Sequence, residues 1–376
     1  MKTLPLLNIR REFSESTMAN IQKGFSLVEL MIAITLGLVL MAGVLQMFIG
    51  SKAAYTNQRA VASVQESGRL ALEFMTRDIR MAGYMGCASR SIGSIESTIK
   101  GTNFQFDMLD ETLVPDVFAL DAIHGFTAEP AGYDLSPDPL PDTDLFVVTL
   151  ARNADVSLTK DKEAANFFTT LNVSEAGACP NGDARLDGLC TNDILLVTDC
   201  KKARIFHATK VDNASGEIKI NHDGSGTPGN FPTSWGGASS PDDHFKDGAQ
   251  ILKMERVIYY LATGRSGRPS LWQHVGGVSL EILEGVEDMA ITYGRDTNGD
   301  KVPDTYNTAA EINSAGATTW LAVSSVRLQL LVQSTDDNVV PEKQVYSFAG
   351  SDPKKAADLR LRQIFVSTVG IRSRLD

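Results

Sequence analysis

Catalytic sequence patterns are missing from this chain. Its five histidines stand scattered at positions 124, 207, 222, 244 and 274, with no HExxH, GxSxG, Walker A or dinucleotide-binding glycine pattern. Those patterns place a zinc-ligand pair, a nucleophilic serine or a phosphate cradle, so no enzyme class is indicated and each histidine reads as a surface or core residue. Clustered positive charge is lacking too: the net charge is -11. Binding to a phosphate backbone needs a dense basic surface. Lys201-Lys202 and Lys354-Lys355 are too short to provide one, so nucleic acid is not a direct partner. Cysteine is scarce, with four residues and no CxxC spacing, which argues against zinc or thiol chemistry. No proline interrupts the stretch from Phe25 to Gly86, so nothing there forbids a continuous helix.

What is present begins with an apolar run from Phe25 to Gly50 whose only charged side chain is Glu29. About 20 apolar residues span a bilayer as a helix, so this run is a transmembrane candidate. A secretory signal peptide is the competing reading, but its apolar core is only about 7 to 15 residues and precedes its cleavage site. Here the small residue, Gly24, lies before the run. A carboxylate at membrane depth is costly by a few kcal/mol or more, so Glu29 needs a partner. Cleavage after Gly24 would leave Phe25 with a free ammonium at the i, i+4 spacing from Glu29, on one helix face. That amine could serve the same chain or a neighbour beside it. The alternative is a protonated Glu29 near the interface, without a role.

The segment Gly24-Phe25-Ser26-Leu27-Val28-Glu29-Leu30 resembles the class III prepilin signal of type IV pilins and type II secretion pseudopilins. The resemblance implies cleavage after Gly24 by a prepilin peptidase, N-methylation of Phe25, and a role for Glu29 in filament assembly. A leader of 24 residues is long for the type IVa group, and Met18 as the true start would give the short leader MANIQKG. Many major pilins carry a proline inside the apolar helix. This chain has Gly37 and Gly43 instead, each softening a helix by about 1 kcal/mol relative to Ala.

The helical pattern continues through 52–85, with apolar residues at Val61, Val64, Leu72, Met75, Ile79 and Ala82 on one face. Gln65, Glu66, Arg69, Glu73, Arg77, Asp78 and Arg80 interleave as the polar side. Gly83 and Gly86 are suited to end it, since glycine tolerates the left-handed backbone at helix C-termini. The remainder, 87–376, alternates short β-branched or aromatic runs with Gly, Asp, Asn and Pro clusters and reads as mainly β. Strands are expected at 145–151, 193–198, 203–209, 217–220, 251–262, 270–274, 286–293 and 321–333, and surface loops at 128–144 and 221–247. The fold class is therefore α+β: a long N-terminal helix, transmembrane over 25–50 and amphipathic over 51–86, packed on a mainly antiparallel β domain of one or two parts.

The runs GYMGC at 83–87, NDILLVTDC at 192–200, ITYGRDTNGDKVPD at 291–304, SVRLQLLVQS at 325–334 and LRLRQIFVSTVGIRSR at 359–374 resemble the PilW minor pilin family. The resemblance implies a non-enzymatic type IV pilus subunit. It would be anchored in the bacterial inner membrane with its β domain in the periplasm, then built into the pilus. Implied partners are the prepilin peptidase, the inner-membrane assembly platform, the major pilin and other minor pilins, with which it would prime assembly at the tip beneath a large adhesin. The J-type minor pseudopilin of type II secretion is the alternative that shares every N-terminal feature. A membrane-anchored binding module that stays uncleaved is a third.

Two further groups of residues carry expectations. Cys87, Cys179, Cys190 and Cys200 are even in number and lie beyond the membrane helix, which points to disulfides in an oxidising compartment. Three pairings are open. The favoured one joins Cys179 to Cys190 across a short loop and Cys87 to Cys200, pinning the helix end to a strand; four buried thiols are the alternative. No cofactor is required, but one loop could hold structural calcium: Asp296, Asn298, Asp300 and Asp304 would offer side-chain oxygens and Val302 its carbonyl. Lys301 occupies the place where an EF-hand needs glycine, and Asn307 replaces its bidentate Glu. An Asn-Gly hairpin turn explains the same residues.

Overall fold

The computed structural model describes residues 25–87, 95–100, 122–129, 135–160, 166–226, 229–230 and 244–375. The leader, with Met18 and Gly24, lies outside them, as do parts of both expected loops. The described residues divide into two units, one ending at Thr56 and one beginning at Asn57.

One helix, α1 (Leu27–Arg80), runs through 54 residues. Its first bond is donated by the Leu30 N–H to the Ser26 carbonyl at 3.0 Å. Glu29 falls in the first turn, where the helix dipole favours an anion. In the first unit every residue from Phe25 to Tyr55 is exposed. The Thr35 hydroxyl is satisfied within the helix by donating to the Ile32 carbonyl at 2.9 Å, as an apolar surrounding requires.

In the second unit α1 buries Ala60, Val64, Gly68, Ala71, Met75, Asp78 and Ile79. The expected stripe is shifted by part of a turn: Val61 and Leu72 are only half-buried. Asp78, expected on the polar side, lies on the buried face. The helix also ends at Arg80, short of the expected Met85. The Met81 and Ala82 N–H groups turn to carbonyls three residues back, Asp78 and Ile79, and Gly83 then donates to Thr149 at 2.7 Å. Capture of the backbone by a strand stops the helix, with Gly83 and Gly86 at φ of 70° and 67° in the region glycine favours.

That strand belongs to an eight-stranded sheet: β1 (Ile95–Ser97), β2 (Ile123–Phe126), β3 (Leu145–Ser157), β4 (Ile194–Thr198), β5 (Ala203–His207), β6 (Gln250–Thr263), β7 (Pro269–Val275) and β8 (Val278–Glu284). The long β6 is its spine. One side pairs with β3 throughout 250–259; the other pairs with β4 over 250–253 and with β7 over 257–263. A second sheet holds β9 (Val286–Arg295), β10 (Thr305–Asn307), β11 (Val323–Gln333) and β12 (Arg362–Gly370), antiparallel in the order β10-β9-β11-β12. Helix α2 (Ala309–Ala315), capped by Thr308 with a Thr308/Glu311 capping box, follows β10, and α3 (Arg372–Leu375) follows β12.

All eight expected strands are present, several of them longer than expected. Val64, Ala71, Met75 and Ile79 of α1 share one core with Phe146, Val148, Tyr259 and Leu261 of the large sheet and Ile291, Tyr293, Leu328 and Leu330 of the second. The architecture is α+β: a long helix, apolar in its first half, with mostly antiparallel sheets.

Candidate functional site

Just before α1, Phe25 is 80% exposed, and Glu29, four residues on in the first turn of the helix, is exposed as well. Around them stand Leu27, Val28, Leu30, Met31, Ile32 and Ile34, each more than half exposed. An apolar surface of this extent does not persist in water. It suits lipid tails or similar helices, and in either setting a lone carboxylate is costly without a cation. One helix, this one, is long and apolar enough to cross a membrane among the described residues.

The other end of α1 is held by polar chemistry. Asp78 is 2% exposed. Its carboxylate accepts from the Tyr259 hydroxyl at 2.8 Å and from Gln273 Nε2 at 3.3 Å, while Gln273 also donates to Tyr259 at 2.7 Å. Arg152 and Arg77 lie at 3.7 and 3.6 Å from the same carboxylate, and Arg152 also pairs with Glu255. Burial, then the charge and hydrogen bond of Asp78, push the Tyr259 phenol far above its ordinary range, so it stays a neutral donor. This cluster was missed in the sequence. Position 78 lies three residues after Met75 and seven after Ala71, the spacing of the buried face, and that spacing was the available signal.

Beyond Arg80 the chain is tied down at once. Gly83 donates to Thr149, Ala151 donates to the Tyr84 carbonyl at 2.7 Å, and Ser373 Oγ donates to the Ala82 carbonyl at 2.7 Å. A disulfide joins Cys87 to Cys200 with Cα atoms 5.0 Å apart. A second joins Cys179 to Cys190 at 5.7 Å. No described cysteine is free.

In the 296–304 loop the oxygens expected to meet a cation accept protein hydrogen bonds. Asp296 Oδ1 takes the Asn298 and Gly299 N–H groups and Oδ2 takes that of Lys301. Asp304 Oδ2 takes the Thr297 N–H and hydroxyl, which hold its carboxyl below the usual carboxylate range. Asp300 Oδ1 takes the Val302 N–H, and Asn298 Oδ1 takes that of Asp300. The Asn298 amide nitrogen bridges Asp300 at 3.3 Å and Asp304 at 3.0 Å, a donor standing between the carboxylates. Val302 is 60% exposed at the tip. Among the described residues no group of three His, Cys, Asp or Glu side chains is arranged to hold a metal ion.

The histidines lie in different places. His124 stacks between Phe126 and Trp320, His207 and His222 are buried, and His274 Nδ1 lies 2.9 Å from Ser279 Oγ with its pKa lowered by burial.

Residues 19–45 match the prokaryotic N-terminal methylation motif, and residues 258–373 match the family model described as type IV pilus-assembly protein W. The second match takes in the end of β6, the β7–β8 hairpin and the whole second sheet. No curated protein and no solved structure matches the chain. With a processing motif on an apolar helix and the assembly-protein signature on the sheet behind it, the chain is similar, over these two segments, to type IV pilus minor pilins of the PilW type.

Proposed function

We propose that the chain is a type IV pilus minor pilin that is cut after Gly24 by a prepilin peptidase, methylated on Phe25, and joined with other minor pilins in a complex that primes pilus assembly at the tip. The observation that carries this reading is the fully exposed apolar half of α1 with Glu29 four residues after Phe25, inside the methylation-motif match. The leader is 1–24, 25–50 is the membrane half, 51–86 the amphipathic half, and 87–376 the periplasmic domain. Its action is packing rather than turnover. Apolar helices bundle along the filament axis, and Glu29 meets an N-terminal amine so that neither charge is left alone. The inner-membrane platform, the major pilin and a large tip adhesin complete the set of partners.

Mass spectrometry of sheared pili tests the reading: the chain should be present and begin with N-methylated Phe25. Glu29→Ala should strongly reduce piliation, and Gly24→Leu should keep the unprocessed length on a gel. Recovery only with a secretion apparatus, never in pili, would favour the J-type pseudopilin instead.

A further inference from the structure

The edges of the two large sheets differ in how they are guarded. The outer strand β8 carries Glu281 and Glu284, which engage Ser270 and the Arg265 N–H, and Ser266 and Arg268. Its pairing with β7 is also broken by a register shift between Leu271 and Trp272. The edge strands β1 and β10 have only three residues each. Charge, irregularity and shortness are the usual protections against unwanted strand pairing. The edge strand β12 has none of them beyond its first residue, the buried Arg362. It runs nine residues in unbroken register with β11, and between Gln363 and Gly370 it holds no charged residue and no proline. Phe365 turns toward α1, where a Cβ on Gly68 would overlap its ring. The alternate residues Ile364, Val366 and Thr368 are exposed, Val366 at 57%.

One charge beside this edge is held only by neutral groups. Arg327 lies opposite Thr368 in the β11–β12 register; its Nε donates to the Thr368 hydroxyl at 3.4 Å and its guanidinium lies 4.0 Å above the Tyr306 ring. Among the described residues no carboxylate lies within ion-pair distance of it. A strand added beside β12 would set its residue opposite Thr368 roughly 10 Å from the Arg327 backbone, two strand spacings away. An arginine and an acidic side chain together span that distance. A second copy of β12 does not fit, because the strand contains no Asp or Glu and self-pairing would leave Arg327 unanswered.

We propose that β12 is a docking edge that receives an extended strand of a different pilus subunit, apolar at alternate positions and carrying a carboxylate opposite Thr368. Main-chain bonds would supply affinity and the Val366 and Arg327 contacts the register, as in other strand-addition complexes. This rests on the reading of the chain as a subunit assembled among other pilus proteins.

The test places photoreactive benzoylphenylalanine at Ile364 of the full-length chain in piliated cells and maps adducts by mass spectrometry. The expected adduct lies in an extended, alternately apolar segment of another pilus protein with an Asp or Glu within two residues. Val366→Lys and Arg327→Glu should each cut its yield by about ten-fold or more, while Val366→Thr keeps it within two-fold and all three variants melt like the wild type. An adduct only with a second copy, only with a helix, or none at all overturns the proposal, as does full yield in Val366→Lys. Glu29→Ala cells separate the two readings. If they lose their pili while Val366→Lys changes nothing, docking fails and the pilin reading stands. If they pile normally, the reading itself fails.

Discussion

The two halves of α1 are one continuous helix built for two surroundings. Before Tyr55 every side chain is exposed, and a Cβ at Gly37, Gly43 or Gly50 would meet nothing within 4 Å. After Asn57 the same helix buries a stripe so close to its neighbours that Gly68 has no room for a Cβ beside Phe365. Each half holds a carboxylate on an otherwise apolar face, but they are treated oppositely. Asp78 is surrounded by its own chain's donors, Tyr259, Gln273 and Arg152. Glu29 stands among exposed apolar side chains. An acid already satisfied within the fold is structural, whereas one displayed on an apolar helix has its charge unmet by the fold around it.

The largest effect should come from releasing the far end of the packed half. The Cys87–Cys200 disulfide closes a sequence separation of 113, against 11 for Cys179–Cys190. Loop-closure entropy assigns these about 4.8 and about 2.8 kcal/mol respectively. Replacing Cys87 and Cys200 together by Ala should therefore lower stability more than replacing Cys179 and Cys190, measured by thermal melts of the oxidised chain. Equal losses would mean that the helix end is already held by the Gly83, Ala151 and Ser373 bonds alone.

Next in size is Asp78→Leu. It removes the acceptor of the buried Tyr259 hydroxyl and the half-buried Gln273 amide and strands part of the Arg152 charge, a loss of about 2 to 4 kcal/mol once the partial exposure of Arg152 is allowed for. Tyr259→Phe deletes one bond and should cost about 1 kcal/mol. Glu29→Leu, by contrast, should leave the melting of the β domain unchanged while impairing pilus assembly. A Glu29→Leu chain that melts early would erase the distinction between the two acids.

Much of this architecture was legible in the sequence. Periodicity exposed both halves of the helix and alternation exposed eight strands, because those elements bury one face or two. Strand β8 escaped, although Gly276-Gly277, both at positive φ, is a hairpin signal; its weak burial leaves Val278 and Leu280 exposed and blurs the hydrophobic pattern. The arginines within 359–374 are put to different uses that their spacing does not distinguish. Arg362 is buried at the start of β12 and paired with Glu287 and Asp358, whereas Arg372 and Arg374 lie in α3. Asp78 was hidden because residue type suggested a surface position and only the spacing argued otherwise. Nothing in the sequence placed Phe365 over Gly68, a contact between residues nearly 300 positions apart.

That contact gives the sharpest test of the two halves, at smaller energy. Gly37→Ala should be neutral or slightly stabilising, since alanine favours a helix by about 1 kcal/mol over glycine. Gly68→Ala gains the same propensity but forces the Phe365 ring aside, and overpacking of this kind costs about 1 to 3 kcal/mol. The net change at Gly68 should thus be destabilising by up to about 2 kcal/mol, and Gly68→Ala combined with Phe365→Leu should recover part of it. Additive losses in that double variant would show that the ring is not what excludes the methyl group.

The smallest effect concerns the strand that carries Phe365. Its first residue, Arg362, donates to Asp358 at 2.6 Å and to Glu287 at 2.7 Å. The Arg362 hydrogen bond is the main influence holding the Asp358 carboxyl below its ordinary value of 3.8. A carboxyl whose folded pKa is depressed stabilises the fold while it is ionised, above its unfolded value, and that contribution fades as pH falls through the folded one. Asp358→Asn should therefore lower the melting temperature by about 1 to 3 °C at pH 7, as expected for a partly exposed ion pair in a domain of this size. Melts repeated from pH 6 down toward pH 3 should show the gap closing only below about pH 4. A gap that holds constant into acid would assign the loss to packing around Arg362 and Tyr346 and leave the Asp358 charge without a part in fixing β12.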